Sequence, residues 1–185
     1  MLQQFLLDLR KSCEDRHIPL ISIQTQGFIV SWLERKQPTR VLEIWSAVWF
    51  SSIVISKKIQ QRWGTLTSFE ISYPAYLEAL KNIEKANLNN VVLYPFDINE
   101  ISFEKFFSQK FDAVFIDAQK SQYWDYLQKI RSYLAPENTL LLDDVIKYQN
   151  KLTWLYKFIE KMQINYEIFG TEPGDWVMLI DNNKQ

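Results

Sequence analysis

The stretch FDAVFIDAQK, residues 111–120, decides the fold of this 185-residue chain. Apolar residues fill positions 111–116 except at Asp112, which predicts a strand buried on both faces of a parallel sheet. The strand ends at Asp117, and Lys120 follows shortly after it. Ligands bind beyond the carboxyl ends of the strands in such sheets, so residues 117–120 are the first candidates for a functional site.

Outward from this strand, short apolar runs alternate with amphipathic segments. Further strands are predicted at residues 41–44, 66–70, 91–94, 139–142, 164–169 and 176–180. Helices are predicted at residues 2–15, 26–36, 49–62, 73–88, 101–108, 121–134 and 150–163. This alternation is typical of a mostly parallel sheet with helices on both faces, and the last two strands, which no helix separates, predict an antiparallel hairpin at one edge.

Composition limits the classes of function. The chain has 21 Lys and Arg against 22 Asp and Glu, a net charge of -1, which argues against a main affinity for nucleic acid phosphates or an anionic membrane. A single cysteine and a single histidine exclude an internal disulfide framework and a zinc site rich in these residues. No apolar run reaches the about 18 residues of a membrane span, and residues 1–20 are too charged for a signal peptide. We therefore expect a single-domain, soluble, cytoplasmic protein without a membrane partner.

Acidic residues lie near or just after the carboxyl end of each of the five predicted parallel strands. They are Glu43, Glu70, Asp97, Asp117 and the pair Asp143 and Asp144. Any one of them could be a helix N-cap or a solvated loop acid. Because the carboxyl ends of parallel strands meet at one edge of the sheet, the coincidence across five strands indicates a shared acidic site there.

The sharpest group is Asp117 with Asp143 and Asp144. If the strands before them are neighbours, these carboxylates lie about 5 Å apart and repel unless a cation lies among them. Oxygen ligands select a hard ion, Mg²⁺ first, with Ca²⁺ or Mn²⁺ as alternatives. Lys120 beside that ion is a candidate general base, and its other interpretation is a surface ion pair with Asp117. Glu70, at the end of the second strand, is placed to accept hydrogen bonds from a ribose and so indicates an adenosine-containing ligand.

At these residues the chain resembles the cation-dependent O-methyltransferase family, which includes catechol and caffeoyl-coenzyme A O-methyltransferases. The resemblance covers residues 21–180, and FDAVFIDAQK with Tyr123 is its most specific match, to F-D-x-[VI]-F-I-D-A-x-K-x-x-Y. The stretch VLEIWSAVWFSS (41–52) is similar to the family's V-L-E-[IL]-G-x-x-x-G-Y-S, and SFEI (68–71) to its ribose-binding strand. The stretches LDDV (142–145) and GDW (174–176) are similar to its D-N-V and G-D-G.

The resemblance implies a Rossmann-like α/β fold. Its sheet would be the seven-stranded methyltransferase sheet, six parallel strands and one antiparallel strand with helices on both faces. One methyltransferase domain would span residues 1–185, with N-terminal helices over residues 1–36 and the Rossmann-like core over residues 40–185. The implied cofactors are S-adenosylmethionine and a divalent cation, Mg²⁺ before others.

The resemblance also implies roles for the site residues. Asp117, Asp143 and Asp144 would hold the cation, with Asp144 where the family usually has Asn. Lys120 and Asp117 would be the catalytic residues, Lys120 as the base that takes the proton from the acceptor hydroxyl. The cofactor-binding set would be Glu43 at the methionyl amino group, Ser51 near its carboxylate, Glu70 at the ribose, and Ile71, Asp97 and Ile98 around the adenine, together with Trp45, Ser46 and Asp117.

The acceptor implied by the resemblance is a small aromatic or other diol. Two alternatives remain open, namely a tRNA hydroxyuridine methyltransferase, to which the net charge gives no support, and a non-catalytic binding module on the same scaffold. Members of the family often dimerise, so a homodimer is also open.

Tryptophan stands where the family has glycine. Trp45 and Trp49 occupy the two glycine places of the first motif, and Trp176 ends the last one. The chain has 4 Gly and 7 Trp, whereas about 13 Gly is typical of this length. Either the donor pocket has been filled, or the codon UGA, which some bacterial lineages read as glycine and others as tryptophan, has been read here as tryptophan.

Overall fold

The computed structural model describes residues 2–48, 50–172 and 175–182. In this part of the chain seven strands form one sheet in the order β3-β2-β1-β4-β5-β7-β6. The strands are β1 (Arg40–Ile44), β2 (Thr65–Phe69), β3 (Val91–Tyr94), β4 (Phe111–Ile116), β5 (Leu134–Leu142), β6 (Glu167–Glu172) and β7 (Asp175–Asp181). Strand β7 runs antiparallel to both β5 and β6, while the pairs among β1 to β5 are parallel. The predicted sheet of six parallel strands and one antiparallel strand is confirmed.

Helices cover both faces of this sheet. They are α1 (Leu2–Asp15), α2 (Ile23–Lys36), α3 (Phe50–Gln60), α4 (Tyr73–Lys85), α5 (Phe103–Phe106), α6 (Tyr123–Ile130) and α7 (Thr153–Met162). One apolar cluster holds Val41 of β1 with Ile29 of α2 and Ile53 of α3. A second cluster holds Leu42 of β1 with Tyr126 of α6. Successive side chains of β1 therefore enter opposite cores, as the alternation of a strand requires. None of the helices in the described ranges is both long and apolar enough to span a bilayer.

Several helix boundaries differ from the sequence predictions, by up to a few residues at α3, α4 and α7 and for identifiable reasons at α2, α5 and α6. Helix α2 begins at Ile23, earlier than predicted, because the Ser22 hydroxyl caps it by accepting a hydrogen bond from the Thr25 amide. The predicted helix at 101–108 is one turn, Phe103–Phe106, whose rings pack against Phe69 of β2 and Tyr94 of β3. The predicted helix at 121–134 ends as α6 at Ile130 and is continued by a 3-10 turn.

The register of the central strands sets their acidic ends side by side. Ile116 of β4 pairs with Ile44 of β1 and with Leu142 of β5. The next residues along the chain are therefore brought to one edge, and the Asp143 amide donates a hydrogen bond to the Ile116 carbonyl oxygen at 3.0 Å.

Two tryptophans have a backbone conformation that favours glycine. The φ angle is 67° at Trp45 and 62° at Trp63, both in the left-handed region. Trp63 follows helix α3, where glycine commonly ends a helix, and it is 96% exposed, so little packing compensates for the strain. A side chain in this region costs about 1–2 kcal/mol per residue.

Replacing Trp63 by glycine is expected to raise the free energy of unfolding by about 1 kcal/mol, because glycine adopts this φ without a steric penalty. Chemical denaturation of the two proteins measures the difference. Trp63→Ala is the matched control, since it removes the indole but keeps Cβ, and it should give no such gain. Equal stabilisation by both changes would attribute the effect to the exposed indole rather than to the backbone.

Candidate active site

A cleft of about 920 Å³ opens at the carboxyl edge of the sheet. The loops after β1, β2, β4 and β5 form its walls, and residues 19–21, before α2, close one side. Its described lining includes Ser46, Glu70, Asp117, Lys120 and Asp144. The structure thus brings together residues that the sequence analysis predicted from four separate strands.

The acidic triad at the ends of β4 and β5 has the geometry of a cation site. One carboxylate oxygen from each of Asp117, Asp143 and Asp144 lies within 4.8 Å of the others. Among the described residues, Oδ1 of Asp143 is buried without a hydrogen-bond partner. A buried acceptor without a partner is costly, and a hard cation would satisfy it, so the donor set fits a divalent ion such as Mg²⁺.

Burial and mutual repulsion act on the protonation of this triad. Burial raises the pKa of Asp143 well above its usual range, and the negative charge of Asp117 raises it further. Burial also raises the pKa of Asp144, although the Lys120 ammonium acts in the opposite direction. The triad therefore favours a bound positive charge, in the form of protons or of a metal ion.

Lys120 is buried at the floor of the cleft. Its Nζ lies 3.0 Å from Oδ1 of Asp117 and 3.8 Å from Oδ2 of Asp144. The ion pair with Asp117 is present, as the simpler interpretation predicted, but it lies inside the cleft and beside the triad rather than on an open surface. An amine there can reach a hydroxyl group of a molecule bound at the triad.

Tyr123 fixes the two strand ends that carry the triad. Its buried hydroxyl is within hydrogen-bonding distance of two carbonyl oxygens, 3.0 Å from that of Ile116 and 3.2 Å from that of Asp143. Burial raises the pKa of Tyr123 well above its usual value, so the hydroxyl keeps its proton and remains a donor. This contact explains why a tyrosine at this spacing accompanies the strand-end acids.

Glu43 lies behind the cleft and not on its described surface. Its carboxylate accepts hydrogen bonds from the hydroxyls of Ser51, at 2.7 Å, of Ser68, at 2.9 Å, and of Ser52. Burial raises its pKa to about 7, although these hydrogen bonds lower it in part. Ser51 does line the cleft. The three hydroxyls cover the carboxylate in this structure, and the contact of Glu43 with a cofactor amino group stays a prediction.

Glu70 links the loops after β1 and β2. Its two carboxylate oxygens each accept a backbone amide at 2.7 Å, from Ala47 and from Ser72. Burial raises the pKa of Glu70, and these backbone hydrogen bonds lower it in part. Glu70 remains on the cleft surface, where one of its oxygens can exchange an amide for a ligand hydroxyl.

The predicted adenine residues lie outside the described cleft lining. Asp97 caps the 3-10 turn that follows it by accepting the Asn99 amide, as its N-cap interpretation predicted. Ile98 is buried in the second core cluster, and Ile71 is half exposed. Their roles at a cofactor stay predictions.

Trp45 enters the cleft directly after β1. Its amide donates to the Phe69 carbonyl oxygen at 3.1 Å, and its indole packs partly against the second core cluster. Trp176 is different, because it lies in an extended strand with its ring over Gly170 of β6. Trp49 and Gly174, the other motif positions in question, lie outside the described residues.

Sequence reasoning missed two parts of the cleft, the segment at residues 19–21 and Lys151. Lys151 ends the 3-10 turn Gln149–Lys151 before α7, in a stretch that the sequence predicted as the start of a helix and that carries no site motif. Neither part carried a signal in the sequence, because long-range packing alone places them at the cleft.

The comparisons with known proteins agree on one family. A family model described as O-methyltransferase matches residues 2–164. The structure is similar to an O-methyltransferase from Bacillus cereus in complex with SAH, with 19% identity, a TM-score of 0.80, and coverage of 95% of this chain and 90% of that one. It is also similar to the O-methyltransferase TomG from Streptomyces achromogenes, which is involved in tomaymycin synthesis and was solved with SAM, with 16% identity, a TM-score of 0.78, and coverage of 95% and 88%. At these identities the structural comparisons show a shared fold.

Proposed function

Since the chain belongs to the O-methyltransferase family, we propose that it transfers a methyl group from S-adenosylmethionine to a hydroxyl of a small aromatic or other diol acceptor, with a divalent cation as cofactor. The observation that carries the proposal is the buried Lys120 amine beside three converging carboxylates, two of which, those of Asp117 and Asp144, line the same cleft. A base next to a cation site is the arrangement that deprotonation of a hydroxyl requires.

The donor side of the cleft fits a nucleoside with a charged tail. Glu70 offers carboxylate oxygens to ribose hydroxyls, and Ser46 and Ser51 offer hydroxyl groups nearby. The Streptomyces relative was solved with SAM, which supports the same donor here. Ser51 has a single hydroxyl proton, so binding a ligand carboxylate there would replace its hydrogen bond to Glu43.

The acceptor side follows from the triad. Asp117, Asp143 and Asp144 would hold the cation, which when bound lowers the pKa of an acceptor hydroxyl. Lys120 in its neutral form takes the proton from that hydroxyl, and the ammonium so formed lies 3.0 Å from the Asp117 carboxylate. The cleft walls hold donor and acceptor together, which supplies a large part of the rate increase in such transfers.

Trp45 supports a second candidate, a binding module whose donor pocket is filled. Trp45 lines the cleft at the place where the family has glycine, with its indole packed partly against the second core cluster. The left-handed backbone at Trp45 and Trp63 supports the coding interpretation instead, namely that glycine belongs at these positions and that UGA encodes them. The codons at positions 45 and 63 test this directly, and UGG at both would contradict it.

Metal removal tests the cation requirement. Turnover of a catechol with labelled S-adenosylmethionine is expected to fall by at least about a hundredfold in EDTA and to return with Mg²⁺, because the acceptor hydroxyl loses its acidifying ion. Asp143→Asn should abolish the Mg²⁺ response, while Asp125→Asn, at an exposed position on α6, should leave it intact. Turnover that EDTA does not change would contradict the requirement for a divalent cation. Absence of turnover with every diol would favour the binding module.

A further inference from the structure

Three lysines surround Tyr148 at the mouth of the cleft. The ammonium of Lys151 lies 5.0 Å from the centroid of the Tyr148 ring, that of Lys147 lies 5.3 Å from it, and that of Lys120 lies 5.9 Å from it. Tyr148, Lys120 and Lys151 all line the cleft beside Asp144. We call Lys147, Lys151 and Tyr148 the rim cluster, because Lys120 belongs to the catalytic group below it.

The ammonium groups of the rim cluster are poorly compensated. Within residues 2–48, 50–172 and 175–182, no carboxylate lies within 4.0 Å of the Lys151 ammonium. Lys147 has Asp144 at 4.0 Å, the outer limit of an ion pair, and its side chain is 53% exposed. The face of Tyr148 attracts these cations but does not neutralise them. Like charges gathered at one ring repel, so the cluster would be stabilised by an anion.

Cation binding at the triad makes this imbalance larger. Asp144 is one of the three carboxylates that would hold the ion, and it is also the carboxylate nearest to Lys147. Once its charge is shared with a divalent ion, it compensates the lysines less. Lys151 in the cleft lining, and Lys147 beside the same Tyr148 ring, then add to an excess of positive charge on the acceptor side of the cleft.

We propose that the acceptor carries an anionic substituent, a carboxylate or a phosphate group, which Lys151 and Lys147 bind at the rim while its hydroxyls lie at the triad. The inference rests on the proposed function, since it names the class of acceptor for the same cleft. The cluster offers two lysines rather than an extended basic face, and the chain has a net charge of -1, so a small anionic diol fits it better than a polynucleotide.

Matched acceptors test the proposal without turnover. We would measure binding of 3,4-dihydroxybenzoate and of its neutral methyl ester to the Mg²⁺-loaded protein by calorimetry. The carboxylate is expected to bind at least about fivefold more tightly, the effect of about 1 kcal/mol from partly exposed charge pairs. A third ligand, (3,4-dihydroxybenzyl)phosphonate, distinguishes the two kinds of anion. The anionic group whose affinity exceeds that of the ester by the larger factor is the one that the rim cluster prefers.

Substitutions of the rim lysines test whether these residues cause the tighter binding of the anionic ligand. Lys151→Gln and Lys147→Gln should each reduce the ratio of the affinity for the acid to the affinity for the ester. The double variant should bring this ratio close to one. Added salt should lower the ratio in the unaltered protein, because it screens the charges. Lys161→Gln, an exposed lysine on α7 outside the cleft lining, is the control and should leave it unchanged. Equal binding of the acid and the ester to the unaltered protein overturns the proposal, as does a preference that survives in the double variant. Methyl transfer with equal efficiency to both acceptors would overturn the anionic acceptor while leaving the methyltransferase function in place.

Discussion

Lys120→Ala is expected to lower the turnover number for methyl transfer by about a thousandfold while changing the affinity for S-adenosylmethionine by less than about threefold. General bases contribute about 10²–10⁴-fold to rates, and Lys120 is the amine beside the triad. In the proposed function the donor lies against Ser46, Ser51 and Glu70, which line the cleft and which the substitution does not change. Single-turnover rates and calorimetric titration measure the two quantities separately.

Lys120→Arg is the matched variant for this test. Arginine keeps a positive charge near Asp117 and Asp144, so the ion pairs that hold the floor of the cleft can persist. It does not lose its proton in proteins, so it cannot act as a base. Loss of turnover in both variants supports the role of Lys120 as the base. Retained turnover in Lys120→Arg would show that only the charge is needed, and a collapse of cofactor affinity in Lys120→Ala would assign Lys120 to the donor site.

The acidic triad was predictable because topology alone places it. The apolar run of β4 has the same bounds in the prediction and in the structure, since all its residues but Asp112 are apolar. A parallel neighbour in register then brings the residue after β4 beside the residue after β5. No side-chain detail is needed for this result, only the direction of the two strands.

The depth of Glu43 was not predictable from its position at a strand end. Along β1 it shares a face with Val41, which packs in the first core cluster. This two-residue spacing predicts which face of the sheet the Glu43 side chain lies on, but it does not predict how far the carboxylate lies from the cleft. Three serine hydroxyls, two of them from α3, decide that the carboxylate is covered. Such contacts depend on how the helix packs after the turn, which no local pattern records.

The tryptophans at family glycine positions are not equivalent in the structure. Trp176 lies in extended β7 and covers Gly170 on the neighbouring strand, an ordinary cross-strand arrangement of an aromatic residue over a glycine. Trp45 instead has a left-handed backbone that favours glycine, a feature it shares with Trp63, which lies outside the motifs. The sequence alone grouped Trp45 with Trp176, and backbone geometry separates them.

Trp45→Gly is expected to tighten binding of S-adenosylmethionine by at least about tenfold. Trp45 now forms part of the cleft wall together with Ser46 and Glu70, where the proposed donor would lie. Glycine removes that obstruction and relieves a backbone strain of about 1–2 kcal/mol at the same residue. Calorimetric titration with the cofactor, with and without Mg²⁺, measures the change.

Two control variants separate the causes of that gain. Trp45→Ala clears the indole but keeps a Cβ at a φ of 67°, so a gain equal to that of glycine would attribute the effect to the cleared volume alone. Trp63→Gly relieves the same kind of strain away from the cleft and should leave cofactor affinity unchanged. If a protein with glycine at both 45 and 49 still binds no cofactor, the donor site is absent and the enzyme proposal fails. Because that result would leave the acidic triad intact, the cleft would then belong to a cation-binding module on a methyltransferase scaffold.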